Sequence, residues 1–277
     1  MSVVTIDNRL VHYQSLGKGR PVLFLHGWMG SWRYWYPTME RVAKQHRTFS
    51  FDFWGFGDSR GRHTVPGIEN YVAQVIRFMD VMGIEKVRLV GHSMGGMVAM
   101  KAAIEHPDRV LRAVTVGAPI EGSSLSWLLK MVDSPLIARA FQRTPHLRRM
   151  LFRHFLGNTE DPAVEEILDA SIKADSTTLQ RTITSMWHTD LRPDLSRLRV
   201  PALVVHGGRD DVVNPNQVNL FAQVAMAKTI VMAECRHFPF FDEPERFDTL
   251  LLQFLHDENQ RQKLAPQSLR QAIPASR

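Results

Sequence analysis

Short apolar segments alternate with longer amphipathic segments along the chain. Eight short runs are rich in aliphatic and β-branched residues, a composition that favours strands. The runs at 3–6 and 10–15 predict an antiparallel pair at one edge of a sheet. The other six runs are almost continuously hydrophobic, which is typical of parallel strands covered on both faces. These six runs lie at 21–25, 47–52, 86–91, 110–117, 201–206 and 228–233.

Between the strands, apolar residues recur with the 3.6-residue period of an α-helix. The predicted helices lie at 33–45, 68–82, 94–106, 216–226 and 244–256. Strands that alternate with helices predict an α/β fold in which helices flank a mostly parallel, eight-stranded sheet.

The interval 120–195 breaks this alternation, because it is helical in pattern and contains no good buried strand. We therefore predict a helical cap inserted after the sixth strand. The remaining residues, 1–119 and 196–256, are expected to form the core. Residues 257–277 are rich in Gln, Ser, Pro and Arg, and this composition predicts a flexible C-terminal tail.

The first part of the predicted cap is basic. Residues 121–153 contain six Lys and Arg side chains against Glu121 and Asp133. This pattern fits a solvated face of amphipathic helices. It also fits a surface that attracts anionic substrates or a membrane.

Composition excludes several classes of protein. Lys and Arg number 34 against 28 Asp and Glu, and the net charge of +6 is dispersed without a nucleic-acid-binding motif. Cys235 is the only cysteine, and the twelve histidines lack metal-site spacing, so we expect no metal and no other cofactor. No signal peptide, membrane-spanning helix or stable membrane insertion is predicted. We expect a cytoplasmic protein that can form a homodimer.

The strongest chemical motif is Gly-His-Ser-Met-Gly-Gly at 91–96. It directly follows a predicted strand and directly precedes a predicted helix. A sharp turn at such a junction lifts the Ser93 hydroxyl out of the sheet. A serine needs a base, and the base needs an acid that orients it. The segments 206–213 and 235–239 offer both, and each follows the end of a predicted strand, where parallel sheets build their sites.

From Val3 to Leu255 the sequence resembles the α/β-hydrolase superfamily, in its branch of capped esterases, lactonases and C–C bond hydrolases. The motifs that carry the resemblance are HGWMGS at 26–31, DFWGFGDS at 52–59, GHSMGG at 91–96, and GGRDD and RHFPFFDEP nearer the C-terminus.

The resemblance implies catalytic roles for three of these side chains. Ser93 would be the nucleophile, His237 the general base and acid, and one of two adjacent aspartates the orienting acid. Asp210 is preferred over Asp211, and Glu121 is a remote third candidate. The backbone amides of Trp28 and Met94 would form the oxyanion hole, which stabilises negative charge on the attacked carbonyl oxygen.

A serine nucleophile favours acyl transfer, so we expect hydrolysis of a small-molecule carboxylic ester. The substrate is expected to be small to medium in size and apolar or aromatic. The residues expected to line its pocket are Met29, Trp32, Trp127 and Phe238.

The resemblance is also compatible with three other reactions. They are C–C bond hydrolysis, enol-lactone hydrolysis and cofactor-free haloperoxidase activity. Relatives that cleave C–C bonds usually carry Asn at the position of His92. A ligand-binding protein that has kept the fold without catalysis is a further alternative.

Overall fold

An eight-stranded sheet forms the centre of the computed structural model, which describes residues 1–59, 65–156 and 164–257. The strand order is β1-β2-β4-β3-β5-β6-β7-β8. The first two strands are antiparallel to their neighbours, and the other six are parallel to one another. The strands are β1 Ser2–Ile6, β2 Arg9–Leu16, β3 Pro21–Leu25, β4 Arg47–Phe51, β5 Val87–His92, β6 Val110–Val116, β7 Ala202–Gly207 and β8 Ala227–Met232.

All eight predicted strands are confirmed, and each end lies within one residue of its predicted position. The antiparallel pair at the edge is confirmed as well. In β3, β5 and β7 nearly every side chain is buried, because helices cover both faces of the sheet. This burial explains why the sequence showed continuous hydrophobic runs.

Helices α1 and α10 pack against each other, and α2 packs against α3. The helices outside the β6–β7 segment are α1 Tyr36–Val42, α2 Ile68–Val81, α3 Met94–Glu105, α9 Pro239–Asp242 and α10 Pro244–His256. The predicted helix 33–45 begins as a 3-10 helix at Trp32–Trp35. The predicted helix 216–226 is instead a 3-10 helix at Pro215–Phe221, because Asn214 caps a tight turn there and β8 starts at Ala227.

Between β6 and β7 the described residues are helical, as the predicted fold class requires. Two isolated antiparallel bridges, Glu121 with Asp190 and Leu125 with Val213, join this segment to itself and to the core. We call residues 120–195 the cap. Its α-helices are α4 Trp127–Lys130, α5 Pro135–Gln142, α6 Pro145–Leu156, α7 Val164–Ser171 and α8 Ser176–His188.

Two further sequence predictions concern the C-terminal tail and membrane-spanning helices. Almost all of the predicted tail, 258–277, lies outside them. Within residues 1–59, 65–156 and 164–257, no helix is long and apolar enough to cross a membrane.

Candidate active site

Ser93 occupies the tight turn between β5 and α3. Its backbone angles, φ of 53° and ψ of −119°, lie in a region that residues other than glycine rarely adopt. The turn is held because the Ser93 amide donates to the Val116 carbonyl at 2.8 Å. Gly91 and Gly95 allow the close approach, since a Cβ on Gly95 would overlap the carbonyl oxygens of Leu25 and His26 in and after β3. Such strain costs about 1–3 kcal/mol and is concentrated at functional sites.

Ser93 opens onto a small chamber that it shares with His237. The core contributes further wall residues, among them Trp28 and Phe238. The cap closes the other side. Its side chains on the chamber wall are Leu129, Phe152, Phe155 and Met186. The free volume is only about 20 Å³, which is room for about one water molecule.

His237 is held by the carboxylate of Asp210. The distance from His237 Nδ1 to Asp210 Oδ2 is 2.8 Å. The same oxygen lies 3.0 Å from His206 Nε2. The other oxygen accepts hydrogen bonds from the amides of Val212 and Val213, at 2.9 and 3.0 Å. A carboxylate accepts from Nδ1–H, so Nε2 is the His237 nitrogen that can take up a proton.

These contacts keep Asp210 ionised. Burial alone would raise the pKa of its carboxyl. The charge of His237 and the hydrogen bonds from His206 and His237 outweigh burial and bring the pKa below its usual value of 3.8. The sequence did not predict this contact between His206 and Asp210.

The other acidic candidates lie elsewhere. Asp211 is half exposed, and its Oδ2 lies 3.0 Å from Arg236 Nη2 and 3.3 Å from His154 Nε2 in the cap. Glu121 pairs with Arg192 at 2.6 Å. Of the three carboxylates, it is Asp210 that contacts His237.

The sequence predicted a role for the backbone amides of Met94 and Trp28. Met94 is the first residue of α3, so its amide has no carbonyl partner within its own helix. Trp28 lies within the loop that follows β3, and its side chain is anchored by a hydrogen bond from Nε1 to the Leu179 carbonyl at 3.2 Å. Across the described residues, no hydrogen bond uses the amide of Trp28 or of Met94.

Most of the sequence matches a known protein family. The sequence model of that family, which is described as the alpha/beta hydrolase fold, matches residues 20–244. The chain belongs to the α/β-hydrolase family. This match confirms the resemblance, the fold class and the expectation of a hydrolase.

Individual relatives in the α/β-hydrolase family match most of the chain. A pimeloyl-acyl-carrier-protein methyl ester esterase of Aliivibrio salmonicida is 25% identical over 90% of this chain and 97% of its own. A 2-hydroxy-6-oxo-6-phenylhexa-2,4-dienoate hydrolase of Comamonas testosteroni is 29% identical over 90% of this chain and 92% of its own. The solved enol-lactonase of Burkholderia xenovorans shares the fold, with a TM-score of 0.78 and 20% identity over 92% of this chain and all of its own.

A buried chain of hydrogen bonds links the loop after β3 of this α/β-hydrolase to the loop of His237. The Gly27 amide donates to the Tyr34 hydroxyl, which lies 3.1 Å from His92 Nδ1. His92 Nε2 lies 2.9 Å from the His237 carbonyl. A carbonyl only accepts, so Nε2 carries the proton and Nδ1 accepts from Tyr34. Burial lowers the pKa of His92 well below 6.5, which keeps the ring neutral.

His26 fixes the peptide plane that carries the Trp28 amide. The Phe53 amide donates to His26 Nε2 at 2.9 Å, so the proton is on Nδ1, which donates to the Gly27 carbonyl at 2.7 Å. Burial lowers the pKa of His26 from 6.5 to about 4, so this tautomer persists at neutral pH. The Gly27 carbonyl and the Trp28 N–H belong to one planar peptide. The hydrogen bond to the Gly27 carbonyl therefore also fixes the direction of the Trp28 N–H.

Only one of the four residues expected in the pocket, Phe238, lines the chamber. Met29 turns into the core, with φ of 62° and 1% exposure. Trp32 sits on the 3-10 helix, where its ring stacks under the Arg33 guanidinium. Trp127 is 73% exposed on the outer side of α4, and Leu129 faces the chamber in its place. No described group of three or more His, Cys, Asp or Glu side chains could hold a metal ion.

Replacing Tyr34 with Phe tests the buried hydrogen-bond chain. The substitution leaves the Gly27 amide and His92 Nδ1 without a partner, and each orphaned buried group costs about 1–3 kcal/mol. We expect the free energy of unfolding, measured by urea denaturation, to fall by several kcal/mol. Tyr36→Phe is the matched control, because Tyr36 is half-buried, and it should change stability by less than about 1 kcal/mol. Equal stability of the two variants would contradict the network.

Proposed function

We propose that this α/β-hydrolase is a serine esterase that cleaves small to medium carboxylic esters with apolar or aromatic groups. The observation that carries the proposal is the convergence on one chamber of Ser93, strained at its turn, and His237, bonded to a buried, ionised Asp210. A nucleophile, a base and an orienting acid are the three parts that acyl transfer requires.

In the proposed reaction, the Ser93 oxygen attacks the ester carbonyl carbon while its proton passes to His237 Nε2. The C–O bond to the alcohol then breaks, and the alcohol leaves with that proton. A water molecule, deprotonated by His237, attacks the acyl-enzyme and releases the carboxylic acid and free Ser93. Asp210 stays ionised throughout and stabilises the imidazolium, consistent with its lowered pKa.

The amides of Trp28 and Met94 would stabilise the negative charge that develops on the carbonyl oxygen. Both amides are free of partners among the described residues, and the peptide that carries the Trp28 N–H is held by His26. Donors that are already oriented need no rearrangement when charge appears, and one donor is worth about 10²–10³ in rate.

Comparison with relatives supports the ester substrate. The Aliivibrio salmonicida relative is named as a methyl ester esterase. The chamber walls are mainly apolar and aromatic, which suits an apolar acyl or alcohol group.

C–C bond hydrolysis is the second candidate, because the Comamonas testosteroni relative is named for that class of substrate. Both ring nitrogens of His92, at the position where such enzymes usually carry Asn, are occupied by bonds to Tyr34 and His237. No donor remains there for a substrate, and this favours the ester. Turnover of a 2-hydroxy-6-oxo-dienoate at a higher kcat/KM than of any ester would favour the second candidate.

Ser93→Ala tests the proposed nucleophile. Hydrolysis of p-nitrophenyl butyrate should fall by about 10⁶, or to the background rate, since loss of the nucleophile removes the whole triad effect. Ser123→Ala, at an exposed serine of the cap, should retain the wild-type rate. A Ser93→Ala variant that is folded by circular dichroism and hydrolyses the ester at the wild-type rate would refute the assignment.

Asp210→Asn and Asp211→Asn form a matched pair that tests the orienting acid. Asparagine at 210 can donate to His237 and stabilise the wrong tautomer, so kcat should fall by about 10⁴. Asparagine at 211 disturbs only the half-exposed contacts with Arg236 and His154, so kcat should change by no more than a few-fold. Steady-state kinetics on the same ester measures both. The reverse order of effects would show that Asp211 is the acid.

A further inference from the structure

An apolar groove runs through the cap itself, apart from the chamber of Ser93. Its volume is about 460 Å³, within the range of about 300–1,000 Å³ that is typical of small-molecule sites. Helices α4, α5 and α6 and the 3-10 helix Met131–Asp133 form its walls. We call it the cap groove and define it by Leu129, Val132, Ile137, Phe141, Leu147 and Met150. Apart from His154, every side chain on its wall is apolar.

The rim of the cap groove is exposed although it is hydrophobic. Leu147 is 46% and Met150 65% exposed, whereas Val132 and Phe141 on the inner walls are buried. A contiguous apolar surface of this kind on a soluble fold marks a site that another apolar group covers. The buried inner walls give the groove a depth that suits a narrow chain.

A single layer of side chains separates the cap groove from the nucleophile. Leu129, buried in α4, lines both the groove and the Ser93 chamber. Phe141 lines the groove and stacks on Trp28, which lines the chamber; the two rings are parallel within 4°. Leu129 and its immediate neighbours are therefore the side chains that lie between the groove and the active site.

The Ser93 chamber has too little space for an extended acyl group. Its free volume of about 20 Å³ is more than twenty-fold smaller than that of the groove. An acyl carbon bound at Ser93 would have to send the rest of its chain elsewhere, and the neighbouring apolar space lies past Leu129. The nearly complete lack of polar groups on the groove wall excludes a polar substituent as the preferred occupant.

We propose that the cap groove binds an unbranched aliphatic chain of the ester substrate, which reaches it from Ser93 past Leu129. This inference rests on the proposed esterase activity and assigns that activity a substrate class, aliphatic acyl esters of medium length. The chain would cover the exposed rim as it binds. Each methylene that enters the groove should contribute a factor of about four to kcat/KM, which corresponds to ~0.8 kcal/mol of transfer free energy.

The test is an acyl series of p-nitrophenyl esters, from acetate to decanoate, with wild type and two neighbouring variants. Ile137 lines the cap groove, whereas Leu136, the residue before it on α5, is 77% exposed and does not. In Ile137→Gln the ratio of kcat/KM for decanoate to that for acetate should fall about tenfold, because a polar amide replaces an apolar wall. In Leu136→Gln the ratio should stay within twofold of wild type.

Failure of the groove assignment and failure of the esterase can be told apart. If esters are hydrolysed through Ser93 but Ile137→Gln and Leu136→Gln give the wild-type ratio, the groove assignment is wrong and the esterase stands. If Ser93→Ala still hydrolyses esters, the esterase mechanism is wrong. The groove is then tested by calorimetric binding of decanoate to the folded Ser93→Ala protein, which Ile137→Gln should weaken in that background.

Other occupants of the cap groove give different results. If Ile137→Gln converts a dimer to a monomer in sedimentation and the decanoate ratio is unchanged, the groove is a contact between two copies of the chain. If it abolishes binding to phosphatidylglycerol vesicles with the ratio unchanged, the groove is a membrane contact. Either result overturns the proposal.

Discussion

The turn at Ser93 is the constraint on which the rest of the site depends. A serine with φ of 53° exists only because β5, α3 and the loop after β3 approach one another at glycines, and because the Ser93 amide is bonded to β6. The same turn starts α3 at Met94, directly after Ser93. The strain at Ser93 and the positions of the proposed nucleophile and of one proposed oxyanion donor are thus consequences of one backbone geometry.

Four side chains then hold the groups around that turn by hydrogen bonds. His26 aims the peptide of Trp28, the Tyr34–His92 chain holds Gly27 and the His237 carbonyl, and Asp210 holds the His237 ring. The core side of the site is therefore organised by hydrogen bonds without substrate. The cap side consists of apolar side chains, and we propose that it selects the substrate.

Sequence predicted the sheet well and indicated the residues of the proposed triad, because both leave local signals. Buried strands give continuous hydrophobic runs, and the Ser93 turn needs glycines at fixed spacing. Contacts that form only in the folded chain leave no such signal. In the sequence Tyr34 is one of several neighbouring aromatic residues, and its hydrogen bonds to Gly27 and His92 cannot be inferred from residue spacing. Trp127 was expected in the pocket as an aromatic residue of the cap, but the helix phase of α4 turns it outward and Leu129 inward.

Covalent labelling with a fluorophosphonate, followed by peptide mass spectrometry, measures most directly whether Ser93 is an activated nucleophile. Only a serine activated by a correctly oriented histidine attacks such a phosphorus centre rapidly. We expect stoichiometric labelling on the peptide that contains Ser93, and loss of labelling in His237→Ala. A folded wild-type protein that stays unlabelled, or that carries the label on another residue, would contradict it.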